Sequence, residues 1–155
     1  IAGRFLEMSE ERLEELIHSK VLGTVRCSRE VVPYMRWQGG GHIINIAGQM
    51  GRQPGPQLTG PTSAAVISFT RGASQELAAD NIRVTVISPG LIATERLWEA
   101  RSADQIAQLG SNVPVGHIGE PDDIAAMVVY LASERAGYIT GTNIMVDGGQ
   151  SRAAF

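Results

Sequence analysis

The sequence predicts an α/β domain built on a parallel sheet, and three observations carry that expectation. Short apolar runs at residues 42–47, 83–88 and 143–146 are bounded by glycine, proline or asparagine, the signature of buried strands. Segments with helical spacing of apolar residues separate them, and strands that alternate with helices pair in parallel. The chain has 155 residues, 43% hydrophobic and 19% charged, which is apolar material for one sizeable core.

Each element has a local cause. Ser9 is a good N-cap, with Glu10 and Glu11 in the positive first turn behind it. Leu13, Leu16, Ile17, Leu22, Val25, Val31, Val32 and Met35 recur at helical spacing, so one long helix should run to the loop at Gly39, Gly40 and Gly41. The strand at 42–47 follows. Residues 48–58 hold Gly51, Pro54, Gly55 and Pro56 and read as a loop. Thr59 and Pro61 suit a helix start, and the helix to Ala79 carries an unusually small face of Ala64, Ala65, Ser68, Gly72 and Ala73. Asp80 and Asn81 turn the chain into the second strand, which Pro89 and Gly90 end. Residues 91–120 are the least regular, with a short helix around 103–109. Glu120-Pro121-Asp122-Asp123 opens a helix through Leu131, residues 137–141 turn, and the last strand closes on Asp147-Gly148-Gly149.

Composition excludes several functions. No run approaches ~18 apolar residues, so no spanning helix is expected, and no basic-then-apolar signal segment follows Ile1. A net charge of −3 offers no basic stripe for nucleic acid or an anionic membrane surface. The single cysteine, Cys27, rules out an internal disulfide and a thiolate zinc cluster, and reads as a small buried hydrophobe. The expectation is a soluble, cytoplasmic protein. Three strands make a poor independent sheet, so the 155 residues read as the second half of a larger doubly wound domain.

Several segments together resemble the classical short-chain dehydrogenase/reductase family, from Ala2 along essentially the whole chain. They are Leu22-Gly23-Thr24, Val32-Pro33-Tyr34-Met35 and Gly41-His42-Ile43-Ile44-Asn45-Ile46, then Ile82-Arg83-Val84-Thr85 with Ser88-Pro89-Gly90. Gly119-Glu120-Pro121-Asp122-Asp123-Ile124-Ala125, Tyr138-Ile139-Thr140-Gly141 and Val146-Asp147-Gly148-Gly149 complete the set. Each is weak alone; their order and spacing are specific. The resemblance implies a Rossmann-type doubly wound sheet, of which this chain carries three strands and their covering helices. It also implies NAD or NADP as cofactor for the assembly. No glycine-rich pyrophosphate turn occurs in the sequence, so binding of the dinucleotide by these residues alone is in doubt.

The family's catalytic positions are altered. Aligned through Ala64-Ala65-Val66 and Phe69, the tyrosine position is Thr59 and the lysine position Ser63. The serine position is Gly48, and Lys20 replaces the asparagine of the preceding helix. Four residues after Tyr34, Tyr130 and Tyr138 stand Gln38, Glu134 and Thr142, so no Tyr-x-x-x-Lys pair exists anywhere in the chain. A phenol titrates near pH ~10 and an adjacent ammonium tunes it toward neutrality. The hydroxyl of Thr59 titrates far higher, and Gly48 offers no side-chain donor. The four positions therefore read as degenerate.

Lys20 is the only lysine beside 12 arginines; a lone helical lysine is more often solvated or snorkelling than catalytic. Pro89, Gly90, Ile92 and Thr94 fall where family members contact the nicotinamide, with a turn and helix cap as the alternative. Asn45 reads as a buried structural residue, and His18 as a surface one. His42 and His117 lack carboxylate or thiol partners at ligand spacing, so no metal is expected. Trp98 falls in the family's substrate-lid segment, with a surface aromatic over a loop as the alternative. The resemblance implies subunit contacts through the helices around 10–37 and 60–79 and through the strand 143–146, with an active paralogue or a second copy.

Assembly parts kept and chemistry parts lost make the leading expectation a non-catalytic subunit supporting an active NAD(P)-dependent alcohol or ketone oxidoreductase. Heteromeric family members with one degenerate subunit, hydroxybenzylsuccinyl-CoA dehydrogenase among them, are of this kind. An oxidoreductase with an atypical proton donor, and a dinucleotide- or metabolite-sensing module without turnover, are the alternatives.

Overall fold

The computed structural model describes residue 4, residues 6–53, residue 55 and residues 57–151. Helix α1 (Glu10–Leu16) opens on Ser9, whose side chain accepts from the Arg12 N–H. A π-helical stretch, Ile17–Leu22, leads directly into α2 (Gly23–Trp37). The single long helix expected from the spacing is thus interrupted by one wide turn, in which the Gly23 N–H reaches back to the His18 carbonyl. Apolar periodicity does not distinguish a wide turn from a regular one.

Strand β1 (Gly41–Ile46) follows, then a 3-10 turn at Gln49–Gly51 and α3 (Thr59–Leu77). Asn81, in the left-handed conformation, turns the chain into β2 (Ile82–Pro89). Helices α4 (Glu95–Ala100) and α5 (Ala103–Ser111) occupy the irregular region. Helix α4 starts at the helix cap that was the alternative reading of Thr94, although Thr94 makes no side-chain capping bond. A capping box between Ser102 and Gln105 opens α5, and one between Glu120 and Asp123 opens α6 (Pro121–Ala132). Strand β3 (Asn143–Val146) ends the sheet.

The sheet order is β1-β2-β3 and both pairings are parallel, with Gly41 opposite Ile82 and Val86 opposite Asn143. Alternation along the strands gives each face its own core. On one face Ile43, Ile82, Val84 and Val86 pack against α2 and α3 through Val32, Met35, Val66, Ile67, Ala73 and Leu77. On the other, Ile44, Ile87, Ile144 and Val146 meet Ile124, Met127, Val128 and Leu131 of α6. A smaller cluster of Ala93, Ile106 and Ile118 supports α4 and α5. Among the described residues, the outer edge of β1 pairs with no strand, and Ile46 at its end is 48% exposed.

Polar ties fix α6 to the sheet. The Arg83 guanidinium donates to the carbonyls of Leu131, Ser133 and Ala136 at 2.9–3.3 Å, satisfying carbonyls that the end of the helix leaves unpaired. The His42 ring donates from Nδ1 to the Leu131 carbonyl at 2.6 Å and accepts at Nε2 from Thr85 Oγ1 at 2.8 Å. Asn45 is buried and donates to Thr70 Oγ1 at 2.9 Å, the structural role expected of it.

Two side chains sort out differently or as expected on the helices. Cys27 is exposed, which corrects its reading as a buried hydrophobe. Ser28, Val32 and Met35, spaced by four and three, form the inward face of α2, so residue 27 falls to one side of it. His18 is exposed on the π-helical stretch.

Candidate functional site

The C-terminal end of β1 sets the site. Beyond Ile46 the strand pairing persists through the Ala47 N–H, which donates to the Ile87 carbonyl at 2.9 Å. Gly48 follows, and the chain then folds into the Gln49–Gly51 turn pressed on α3. A Cβ on Gly51 would stand 2.9 Å from Ala64 N, Ile67 Cδ1 and the Ser63 carbonyl carbon. A Cβ on Gly60 would stand 3.0 Å from the Met50 carbonyl oxygen. These two glycines let the turn and the helix touch backbone to backbone, bringing Gly48 beside Ser63.

Three of the four altered positions meet there. Lys20, delivered by the π-helical stretch, donates from Nζ to Ser63 Oγ at 3.3 Å. A Cβ on Gly48 would lie 3.4 Å from the same Oγ, an ordinary contact distance. Thr59, the fourth, precedes Ser63 by one turn and so shares its face of α3. Ser63 itself is 1% exposed. The Thr24 hydroxyl donates to the Lys20 carbonyl at 2.7 Å, anchoring the backbone under the lysine.

The electrostatics are those of an unanswered cation. Lys20 is half-buried, and burial pushes its ammonium below the usual lysine pKa. Among the described residues the ion pairs are Arg12–Glu15 and Arg36–Asp80, so no carboxylate neutralises Lys20. Nearby in sequence, Gln49 Oε1 and Gln53 Nε2 are buried without a hydrogen-bond partner. The sequence reading missed both, though Gln49 directly follows Gly48. The three tyrosines lie elsewhere: Tyr34 on α2, Tyr130 on α6 across the sheet and Tyr138 beyond it, 72%, 42% and 104% exposed.

The residues proposed for the cofactor lie at the end of β2. Gly90 donates to the Val146 carbonyl at 2.9 Å, and a Cβ there would come within 2.7 Å of Asp147. The glycine after Pro89 is therefore needed for close approach of the segment after β3. Ile92 bridges Gly119, and the Ala93 N–H donates to the Gly119 carbonyl at 2.8 Å. Among the described residues the Ile92 N–H and the exposed Thr94 hydroxyl have no partner. Asp147 holds the turn after β3 by accepting from the N–H groups of Gly149 and Ser151, bonds that lower its pKa against the effect of burial.

Trp98 stands on α4, half exposed. His117 is exposed, its Nδ1 donating to the Ile118 carbonyl at 2.9 Å. Among the described residues no three His, Cys, Asp or Glu side chains gather as a metal-ligand set, and no helix is long and apolar enough to cross a membrane.

Residues 1–151 match the family model described as enoyl-(acyl carrier protein) reductase. The chain belongs to the short-chain dehydrogenase/reductase family. It is 36% identical over 146 residues to the 3-oxoacyl-[acyl-carrier-protein] reductase FabG of Haemophilus influenzae, an alignment covering 93% of this chain and 60% of that protein. A short-chain type dehydrogenase/reductase from Mycobacterium marinum superposes with a TM-score of 0.87 at 31% identity, covering 99% of this chain and 61% of its own. The L-sorbose reductase of Gluconobacter frateurii, whose structure holds NADPH and L-sorbose, gives 0.89 at 31% identity, covering 99% and 63%. The chain thus spans about three-fifths of the length of the relatives it matches, and the α/β fold expected from the sequence is that of these reductases.

Proposed function

We propose that this chain is a non-catalytic subunit of a short-chain dehydrogenase/reductase assembly, supporting a partner that carries out NAD(P)-dependent alcohol oxidation or ketone reduction. One observation carries the reading: the site gathers Lys20, Gly48 and Ser63, with Thr59 one turn away, and no phenol stands among them. Proton transfer to a substrate oxygen contributes ~10²–10⁴ in rate, and an aliphatic hydroxyl cannot replace a tuned phenol in that step.

A nicotinamide dinucleotide supplies or accepts a hydride when bound, and here Ile92 and Thr94 would hold its carboxamide. Pro89 and Gly90 shape the wall behind them. The surfaces offered to a partner are the outer face of α3, where Ala64, Ser68 and Gly72 are exposed, and the free edge of β3. At Gly72 an added Cβ would meet nothing within 4 Å, so a neighbouring helix has room to approach closely.

Native mass spectrometry of the full chain from its source, with an NAD(P)H assay on the same sample, tests the reading. A stoichiometric second reductase whose presence accounts for the activity supports it. A homo-oligomer that consumes NAD(P)H unaided overturns it. The half-buried Lys20 ammonium favours a second reading, an oxidoreductase whose proton donor is Lys20. Unaided turnover lost in Lys20→Met would establish that reading instead.

A further inference from the structure

A cavity of about 300 Å³ opens where the segments that follow β2 and β3 meet the loop before α6. Leu91, Ile92, Val113, Val115 and Val146 make its apolar wall. Two glycines hold that wall in place. A Cβ on Gly148, whose φ is +60°, would stand 2.6 Å from Val115 Cγ2 and 2.8 Å from Val113 Cγ1. One on Gly119 would stand 2.8 Å from Ile92 Cδ1. The Val115 N–H also donates to the Gly148 carbonyl at 3.2 Å. The space is of the size that takes a small organic molecule.

Among the described residues the polar side chains lining it are His117, Asp123 and Asp147, and all three can accept. Asp123 spends one oxygen on the Glu120 N–H at 2.8 Å, and among the described residues the other has no partner. Burial works to raise the Asp147 pKa, but the N–H groups of Gly149 and Ser151 outweigh it and hold the carboxylate ionised. His117 donates from Nδ1 to the Ile118 carbonyl, which leaves Nε2 of the neutral ring as an acceptor. Asp123 and His117 are exposed, so a ligand can reach them. The ion pairs among the described residues are Arg12–Glu15 and Arg36–Asp80, so neither carboxylate of the cavity has a cation. The three acceptors do not gather as a metal-ligand set. A bare ion is therefore a poor match, and the cation that answers them must bring an apolar body for the aliphatic wall. We infer that this cavity binds a small branched aliphatic amine as its ammonium, with the charge toward the acceptor side chains and the hydrocarbon against the valines.

The probe is isoamylamine, with isoamyl alcohol as its neutral counterpart and isovalerate as its anionic one, all of nearly the same shape. The full chain, ¹³C-labelled at the methyl groups of leucine, isoleucine and valine, is titrated without dinucleotide at about pH 8, where an alkylamine is charged. Isoamylamine is expected to move the methyl resonances of Val113, Val115 and Val146 to saturation, while the alcohol and isovalerate at equal concentration leave them in place. Asp123→Asn keeps an oxygen for the Glu120 N–H and should weaken binding about threefold. Adding His117→Gln, which touches no helix cap, should bring the loss to about tenfold. Asp122→Asn, in the same first turn of α6 but outside the cavity lining, should leave binding unchanged. Shifts that do not saturate, shifts that the alcohol reproduces, or a loss in Asp122→Asn equal to that in Asp123→Asn each overturn the site. With no dinucleotide present, the result holds whether or not the chain proves catalytic, so its failure and that of the non-catalytic reading are separate.

Discussion

The α6 face of the sheet and the C-terminal end of β1 treat their polar groups in opposite ways. On the α6 face, Arg83 answers three carbonyls and His42 uses both ring nitrogens. At the end of β1, on the α3 side, a half-buried ammonium leans on one hydroxyl, and among the described residues Gln49 Oε1 and Gln53 Nε2 are buried without a partner. Buried polar groups that serve architecture are satisfied within the chain. Groups left unsatisfied at a strand's C-terminal end mark a place built to meet something else, and strand ends of parallel sheets are where ligands bind.

The largest expected effect is on the satisfied side. Arg83→Met would leave the carbonyls of Leu131, Ser133 and Ala136 without their charged donor and should cost about 3 kcal/mol in urea unfolding. A loss well under 1 kcal/mol would mean that water replaces the guanidinium freely, and the contrast between the faces would fail. Next comes the frame of the site. Gly51→Ala forces a methyl against Ala64 N and Ser63 C and should cost about 2 kcal/mol, with a shift of the Lys20 resonance.

The pH dependence is smaller. Burial lowers the His42 pKa below 6.5, the Leu131 bond works against that, and the nearby Arg83 charge adds to the lowering. The unfolded chain therefore takes up a proton near pH 6.5 that the folded chain accepts only at lower pH. Stability from the neutral ring is complete above that value and is lost as pH falls through the folded one. His42→Gln should flatten this acidic limb of the stability–pH curve; an unchanged limb would remove His42 as its source. The smallest effect belongs to Gly48→Ala. Its backbone is extended and its added Cβ meets only Ser63 Oγ at 3.4 Å, so stability should stay within about 0.5 kcal/mol.

The fold was legible because strand and helix periods are local signals. All three strands appear within a residue of where short apolar runs and their flanking turn residues put them, and of the small residues of α3, Ala64, Ser68 and Gly72 are exposed while Ala73 packs on the core. What stayed hidden depends on geometry across elements. Apolar spacing does not reveal that the helix widens at Ile17–Leu22, and so it does not reveal where Lys20 points. The family resemblance placed Lys20 and Ser63 among the altered positions, but 43 residues separate them and only the fold makes them partners. Arg83 is one charge in an otherwise apolar strand, and its task is visible only where α6 ends beside it.

The bare flank of β1 carries a consequence for handling the molecule. Among the described residues, from Gly41 to Ile46 it presents unanswered N–H and C=O groups along a run free of lysine, proline and bulge, the devices by which edge strands discourage unwanted neighbours. Such a margin is a template. A preparation restricted to these 155 residues should recruit copies edge to edge and turn cloudy as its concentration rises, and a charge at the exposed Ile46, as in Ile46→Lys, should slow the clouding without touching either core.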